Sequence, residues 1–180
     1  MPSNSALQRT CCAYIGVGSS IDPETNIQKA LRLMRKCAPI QAVSTFYRSA
    51  AIDRPSDPAF VNGVVRIATV LGPVELKRRV LTRIEDDLGR VRGEDKYAPR
   101  TIDLDILLYE NLALVRDDLR IPDPGIHERP FLAMPLCELD PKLILPDTGE
   151  SIRRIAARLR DLSMEPLPEL TEKLRREVLV

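Results

Sequence analysis

The stretch Thr101–Tyr109, TIDLDILLY, alternates apolar and polar residues with a period of two. That pattern sorts its side chains only as a strand with one buried face. Ile102, Leu104, Ile106 and Leu108 fall on the buried face, so Asp103 and Asp105 share the other. At roughly 3.3 Å rise per residue, their Cα atoms lie about 6–7 Å apart with side chains pointing the same way.

Two carboxylates so placed repel unless a cation sits between or beside them. An all-oxygen pair suits Mg²⁺, which takes one or two carboxylates and keeps places for water and phosphate. A pair this close can also serve two metal ions in phosphoryl or nucleotidyl transfer. The preceding segment GRVRGEDKYAPR supplies Arg90, Arg92, Lys96 and Arg100. A guanidinium fork matches phosphate oxygens and stays charged at any working pH. An isolated D-x-D is more often a salt-bridged strand face, but these arginines favour a phosphate-handling site.

The 180 residues, 44% apolar and 29% charged, suit a single domain with a full core. A net charge of +1 gives no global case for nucleic acid or membrane as partner. The segment MPSNSALQRT has no apolar run beside a basic one, so no signal peptide is expected. No stretch approaches the length of a membrane span. Cys11, Cys12, Cys37 and Cys137 show no C-x-x-C spacing or histidine company, as expected of reduced thiols in a cytoplasmic protein.

Cys11–Val17 reads as a buried strand entering the turn Gly16-Val17-Gly18-Ser19-Ser20. Asp22 suits an N-cap and Pro23 a first helical residue, opening a helix over Pro23–Cys37. Ile40–Tyr47 and Phe60–Val70 are the next strands, separated by the proline-bearing loop Arg48–Ala59. Phe60 and Asn62 share a strand face and could stack on and hydrogen-bond a flat heterocycle. Pro73–Leu88 is a second helix with Leu76, Val80, Ile84 and Leu88 in one stripe and Gly89 as its stop. Short strands or turns follow at Leu112–Val115 and Leu119–Ile121, then His127 as a helix-start surface residue. Charged helical stretches near Ser151–Leu159 and Thr171–Val180 end the chain.

The order is thus β-α-β-β-α-β. That predicts an α+β fold, a ferredoxin-like antiparallel sheet with both helices on one face, plus C-terminal additions. The second sheet face is left available for a site. Residues 1–10 read as an N-terminal extension, 11–160 as the functional domain and 161–180 as a helical tail.

The run Lys96–Leu107, KYAPRTIDLDIL, resembles the signature of the 6-hydroxymethyl-7,8-dihydropterin pyrophosphokinases of folate biosynthesis. The resemblance continues in AYIGVGS (Ala13–Ser19), STFYR (Ser44–Arg48), PAFVNGV (Pro58–Val64), GRVR (Gly89–Arg92) and ERPFLAMPLCEL (Glu128–Leu139), in family order and spacing. It implies transfer of the β,γ-pyrophosphoryl group of ATP to the dihydropterin hydroxymethyl oxygen, with release of AMP.

On that resemblance Asp103 and Asp105 hold two Mg²⁺ ions, and Arg90 and Arg100 are the catalytic arginines. Phe60 and Phe131 sandwich the pterin, Asn62 bonds its edge, and Ser49 and Ile52 supply backbone contacts. Glu85, Arg92, Lys96, Tyr97, Ile106, Asp123 and Arg129 fall on the nucleotide side. The implied partners are the two small-molecule substrates, with no nucleic acid or membrane, and the working unit is a monomer. Two positions depart from the family pattern: Ser20 replaces the asparagine of a Gly-Ser-Asn turn, and Asp123 replaces a histidine after Pro122. Two other readings compete. One is a ferredoxin-like module that binds RNA or a small ligand; the other is a different Mg²⁺-dependent nucleotidyl or phosphoryl transferase.

Overall fold

Small and β-branched residues carry Cys11–Ser19 (β1) through the centre of an antiparallel sheet, where large groups would not pack. The computed structural model describes residues 9–50, 57–93, 95, 98–116 and 118–179. Phe60–Thr69 (β4) pairs with one side of β1, from Cys11 opposite Thr69 to Ser19 opposite Val61. Asp103–Tyr109 (β5) pairs with the other side. Ile40–Val43 (β2) and Tyr47–Ser49 (β3) both pair with β4. Glu165–Pro166 (β8) adds to the far side of β3, giving the order β5-β1-β4-β3-β8 with β2 beside β4. Leu114–Arg116 (β6) and Leu119–Ile121 (β7) form a separate hairpin.

The helix Pro23–Cys37 (α1) buries Ile27, Ala30, Leu31 and Met34 on the sheet, as its 3.6-residue period requires. Asp22 precedes it in the left-handed region (φ 41°) but makes no side-chain cap bond. Asn26 Nδ2 instead donates to the Ile21 carbonyl at 2.6 Å. The second helical segment is continuous in space but changes its winding. Pro73–Glu75 (α2) and Thr82–Asp87 (α3) are α-helical, and the turn Leu76–Leu81 between them is π-helical. The wider turn turns Leu81 and Glu85 inward beside Leu76, Val80 and Ile84.

These helices and Pro168–Val178 (α6) cover one sheet face, closing a core with Ala13, Ile15, Val17, Ile102, Leu104 and Ile106. The second face is not left bare. Pro130–Leu139 (α4) and Ile152–Arg158 (α5) pack there on Tyr14, Val64, Leu107 and Leu108. The β5 alternation therefore holds through Leu107 and fails at Leu108. A register irregularity against Tyr14 and Ile15 turns Leu108 into this second core beside Leu107. α6 adds Leu170, Leu174 and Val178 to the first core, and its Glu177 pairs with Gln28 and Arg32 of α1. No helix among the described residues is long and apolar enough to cross a membrane.

Candidate active site

On the second face, the part not covered by α4 and α5 is floored by glycine. A Cβ on Gly16 would stand 3.1 Å from the Leu107 side chain, and one on Gly18 would stand 2.6 Å from Asn62 Oδ1. A hollow lies over this bare backbone. Gly16, Gly18, Asn62, Asp103, Asp105, Asp123, Arg129 and Phe131 line it. Residues from β1, β4, β5, the start of α4 and Asp123, which caps the turn Pro124–His127, converge there although they lie far apart in the chain.

Asp103 is one-quarter exposed and is gripped by two guanidiniums. Arg100 Nη1 donates to its Oδ2 at 2.8 Å, and Arg90 pairs with its Oδ1. Arg90 also pairs with Glu85. Burial opposes the charge on Arg90, but Asp103 and Glu85 outweigh it and push its pKa above the ordinary arginine value. Asp105 is half-exposed, with Oδ1 accepting from Lys77 Nζ at 2.9 Å.

Glu85 is 2% exposed. Its carboxylate takes the Leu104 amide N–H at 2.8 Å, Arg90, and Arg92 Nη2 at 2.8 Å. Burial raises its pKa above the usual glutamate value, against the pull of Lys77, the Leu104 amide and Arg90. It faces the base of the arginine loop rather than the open hollow. Arg92 also pairs with Asp86 and is half-exposed.

The loop that ends at Arg100 is pinned by the turn after β1. Arg100 N donates to Ser20 Oγ at 3.0 Å, and Ser20 N donates to the Arg100 carbonyl at 3.0 Å. Ser19 Oγ reaches the Thr101 carbonyl at 2.6 Å. Ser20 is thus an anchor for Arg100.

The aromatic positions come close to these cations. The Arg100 guanidinium carbon lies 5.9 Å from the Phe60 ring centroid, and that of Arg129 lies 6.0 Å from the Phe131 centroid. Ser49 pairs with Phe60 across β3 and β4. Asn62 is buried opposite Gly18 with its amide toward the hollow. Asp123 caps the following turn by accepting from Gly125 N at 2.7 Å, and burial raises its pKa, with a further push from Asp105. Ile106 has its side chain in the helical core, so only its backbone can address the hollow. Ile52, Lys96 and Tyr97 lie outside the described residues. Lys77 is the residue that the sequence reading missed. It sits in the basic run Lys77-Arg78-Arg79, yet Lys77, Leu81 and Glu85 recur at intervals of four, which marks a second stripe pointing inward.

An aspartate pair on one strand, arginines gripping it and an amide–aromatic wall opposite are the groups that phosphoryl transfer to a planar acceptor calls for. The family model of 7,8-dihydro-6-hydroxymethylpterin-pyrophosphokinase (HPPK) matches residues 14–141. A 2-amino-4-hydroxy-6-hydroxymethyldihydropteridine pyrophosphokinase from Synechocystis is 38% identical over 143 residues, covering 78% of this chain and 72% of its own. The Haemophilus influenzae protein of the same name is 37% identical over 139 residues, covering 76% and 86%. A solved Plasmodium falciparum HPPK-DHPS with pterin and p-hydroxybenzoate superposes with a TM-score of 0.67 at 13% identity. That superposition covers 83% of this chain and 42% of the longer one, and it bears on the fold alone. The chain belongs to the HPPK family and is a pyrophosphokinase of folate biosynthesis. It moves a pyrophosphoryl group from ATP to the hydroxymethyl group of the dihydropterin.

Proposed function

We propose that the hollow bounded by β1, β4, β5 and α4 is where this transfer takes place. Asp103 and Asp105 would be the metal ligands, and Arg90 and Arg100 would carry the charge on the migrating group. The observation that supports it best is the convergence of Asp103, Asp105, Asn62 and Phe131 on one pocket, with Arg100 lying against both Asp103 and Phe60.

The donor set fits a hard cation. It is all oxygen, and both carboxylates lie on the open face of one strand. Magnesium, when bound, would supply charge neutralisation on the triphosphate. The protein's own part is positioning and electrostatics, which suffice for phosphoryl-type transfer without a strong base. Phe60 and Phe131 would hold the pterin plane and Asn62 its edge, with Ser49 and Ile52 offering backbone groups. The hydroxymethyl oxygen then attacks the β-phosphorus, the bond from that phosphorus to the oxygen of AMP breaks, and the alcohol proton leaves to solvent. Arg90 and Arg100 would transfer from Asp103 to the phosphoryl oxygens as the loop closes. Arg92, Lys96, Tyr97, Arg129 and Asp123 would face the nucleotide, Ile106 through its backbone, and Glu85 would act by holding Arg90 and Arg92.

The strand order β5-β1-β4 with β2 and β3 outside supports the ferredoxin-like description of residues 11–109. We take 11–160 as the catalytic unit and 161–180 as an addition packed on it, working as a monomer in the cytoplasm.

Product analysis tests the reaction. AMP formed in step with a pyrophosphorylated pterin is the expected outcome. ADP or free pyrophosphate as the nucleotide-derived product would mean a different transferase.

A further inference from the structure

Lys77 has no part in the roles given so far, yet it touches the centre of the site. Its Nζ donates to Asp105 Oδ1 at 2.9 Å and to the Leu104 carbonyl at 2.6 Å, and its side chain is 21% exposed. With two oxygen acceptors this close, one of them a carboxylate, its ammonium group is paired in place. It differs from the arginines in its mounting. Arg90 and Arg100 reach Asp103 from a loop and can exchange a carboxylate for a phosphate. Lys77 comes from the π-helical turn, and one of its two bonds is to a backbone carbonyl that does not move. Leaving would strip the Leu104 carbonyl of this donor, at the cost of an unmade hydrogen bond.

One oxygen of Asp105 is therefore committed, and a fixed positive charge stands beside the aspartate pair. A unit charge a few ångströms from a dication repels it strongly at the dielectric of a partly buried site. We propose that Lys77 is a resident counter-cation that keeps the Asp103/Asp105 pair from retaining a free divalent ion. The metal is then held firmly only together with the phosphates of the nucleotide. The inference rests on the reading of Asp103 and Asp105 as metal ligands.

Mn²⁺ binding, followed by electron paramagnetic resonance with and without a non-hydrolysable ATP analogue, tests it. Without nucleotide, K77M should bind Mn²⁺ about tenfold more tightly than the parent, or better, while K77R stays weak. With the analogue the gap should narrow, because the phosphates already supply the missing negative charge. If K77M is unstable, K77Q keeps a donor for the Leu104 carbonyl without the charge and should show the same gain. A folded K77M or K77Q whose free-ion affinity equals or falls below the parent's overturns the role of Lys77. A parent that takes up no Mn²⁺ even with the analogue sinks the metal reading itself, and this proposal with it.

Discussion

The buried carboxylate of Glu85 accepts the amide N–H of Leu104, the residue between Asp103 and Asp105. Lys77 donates to the carbonyl of the same residue. β5 is the outer strand at this end of the sheet, so Leu104 turns its peptide groups away from β1 toward the helix. The two helix side chains complete hydrogen bonds that a further strand would otherwise make. Each also reaches one aspartate, Lys77 directly and Glu85 through Arg90. The orientation of the pair is set from the helical side of the sheet.

Glu85→Ala leaves the buried Leu104 amide without an acceptor and strips Arg90 of one of its two carboxylates. It should cost about 3 kcal/mol in urea-induced unfolding and should also lower turnover. Glu85→Gln keeps an acceptor for the amide and should cost less.

The pH dependence of that residue has a definite sign. The folded-state pKa of Glu85 lies above its ordinary value of 4.5, so the folded protein holds this proton more tightly than the unfolded chain. Its contribution to stability is complete below 4.5 and is lost as pH rises through the folded value. Unfolding free energies of the parent and Glu85→Gln, measured from about pH 4 to 7, should diverge against the parent as pH rises through that window.

Arg90→Ala and Arg100→Ala should lower kcat by roughly 100-fold or more, while pterin affinity changes by less than about threefold. Equal losses in turnover and in pterin binding, by calorimetry, would count against a role on the migrating group.

Asp103→Ala should abolish Mg²⁺-dependent binding of an ATP analogue in calorimetry. Pterin binding that ignores both metal and nucleotide would favour a binding module over an enzyme.

Two glycines separate function from stability. Gly18→Ala pushes only against the end of the Asn62 amide, so it should leave the melting temperature nearly unchanged and weaken pterin binding about tenfold. Gly63→Ala meets the fully buried Phe46 ring at 2.8 Å on three atoms and should cost about 1–3 kcal/mol.

The strands and helices that build the pocket were legible in the sequence because their periods are regular. Residues 11–17, 60–70 and 101–109 alternate or run apolar, and Pro23–Cys37 carries its stripe at helical spacing. The position of Leu108 was not, since alternation places it with Leu104 and Ile106, and only the register irregularity at Tyr14 and Ile15 moves it to the other core. The strand expected over Ile40–Tyr47 breaks at Ser44, whose hydroxyl accepts the Val64 amide in place of a ladder bond. Lys77 escaped because a basic run on a helix reads as a solvated face. Its spacing of four from Leu81 and of eight from Glu85 is the one sequence signal that this position turns inward, and it lies within the π-helical turn.

The capping described at Leu104 has a counterpart on the opposite side of the sheet. There Arg175 Nε donates to the Val43 carbonyl at 3.0 Å, and Thr171 Oγ1 accepts the Phe46 amide at 2.9 Å. At these positions on both flanks, side chains of helices take up backbone groups of the sheet. A strand from another molecule finds no template at these positions, which removes the commonest route by which an antiparallel sheet recruits copies of itself. The lysine and glutamate that orient the aspartates thus also help to keep the enzyme from polymerising beside its own active site.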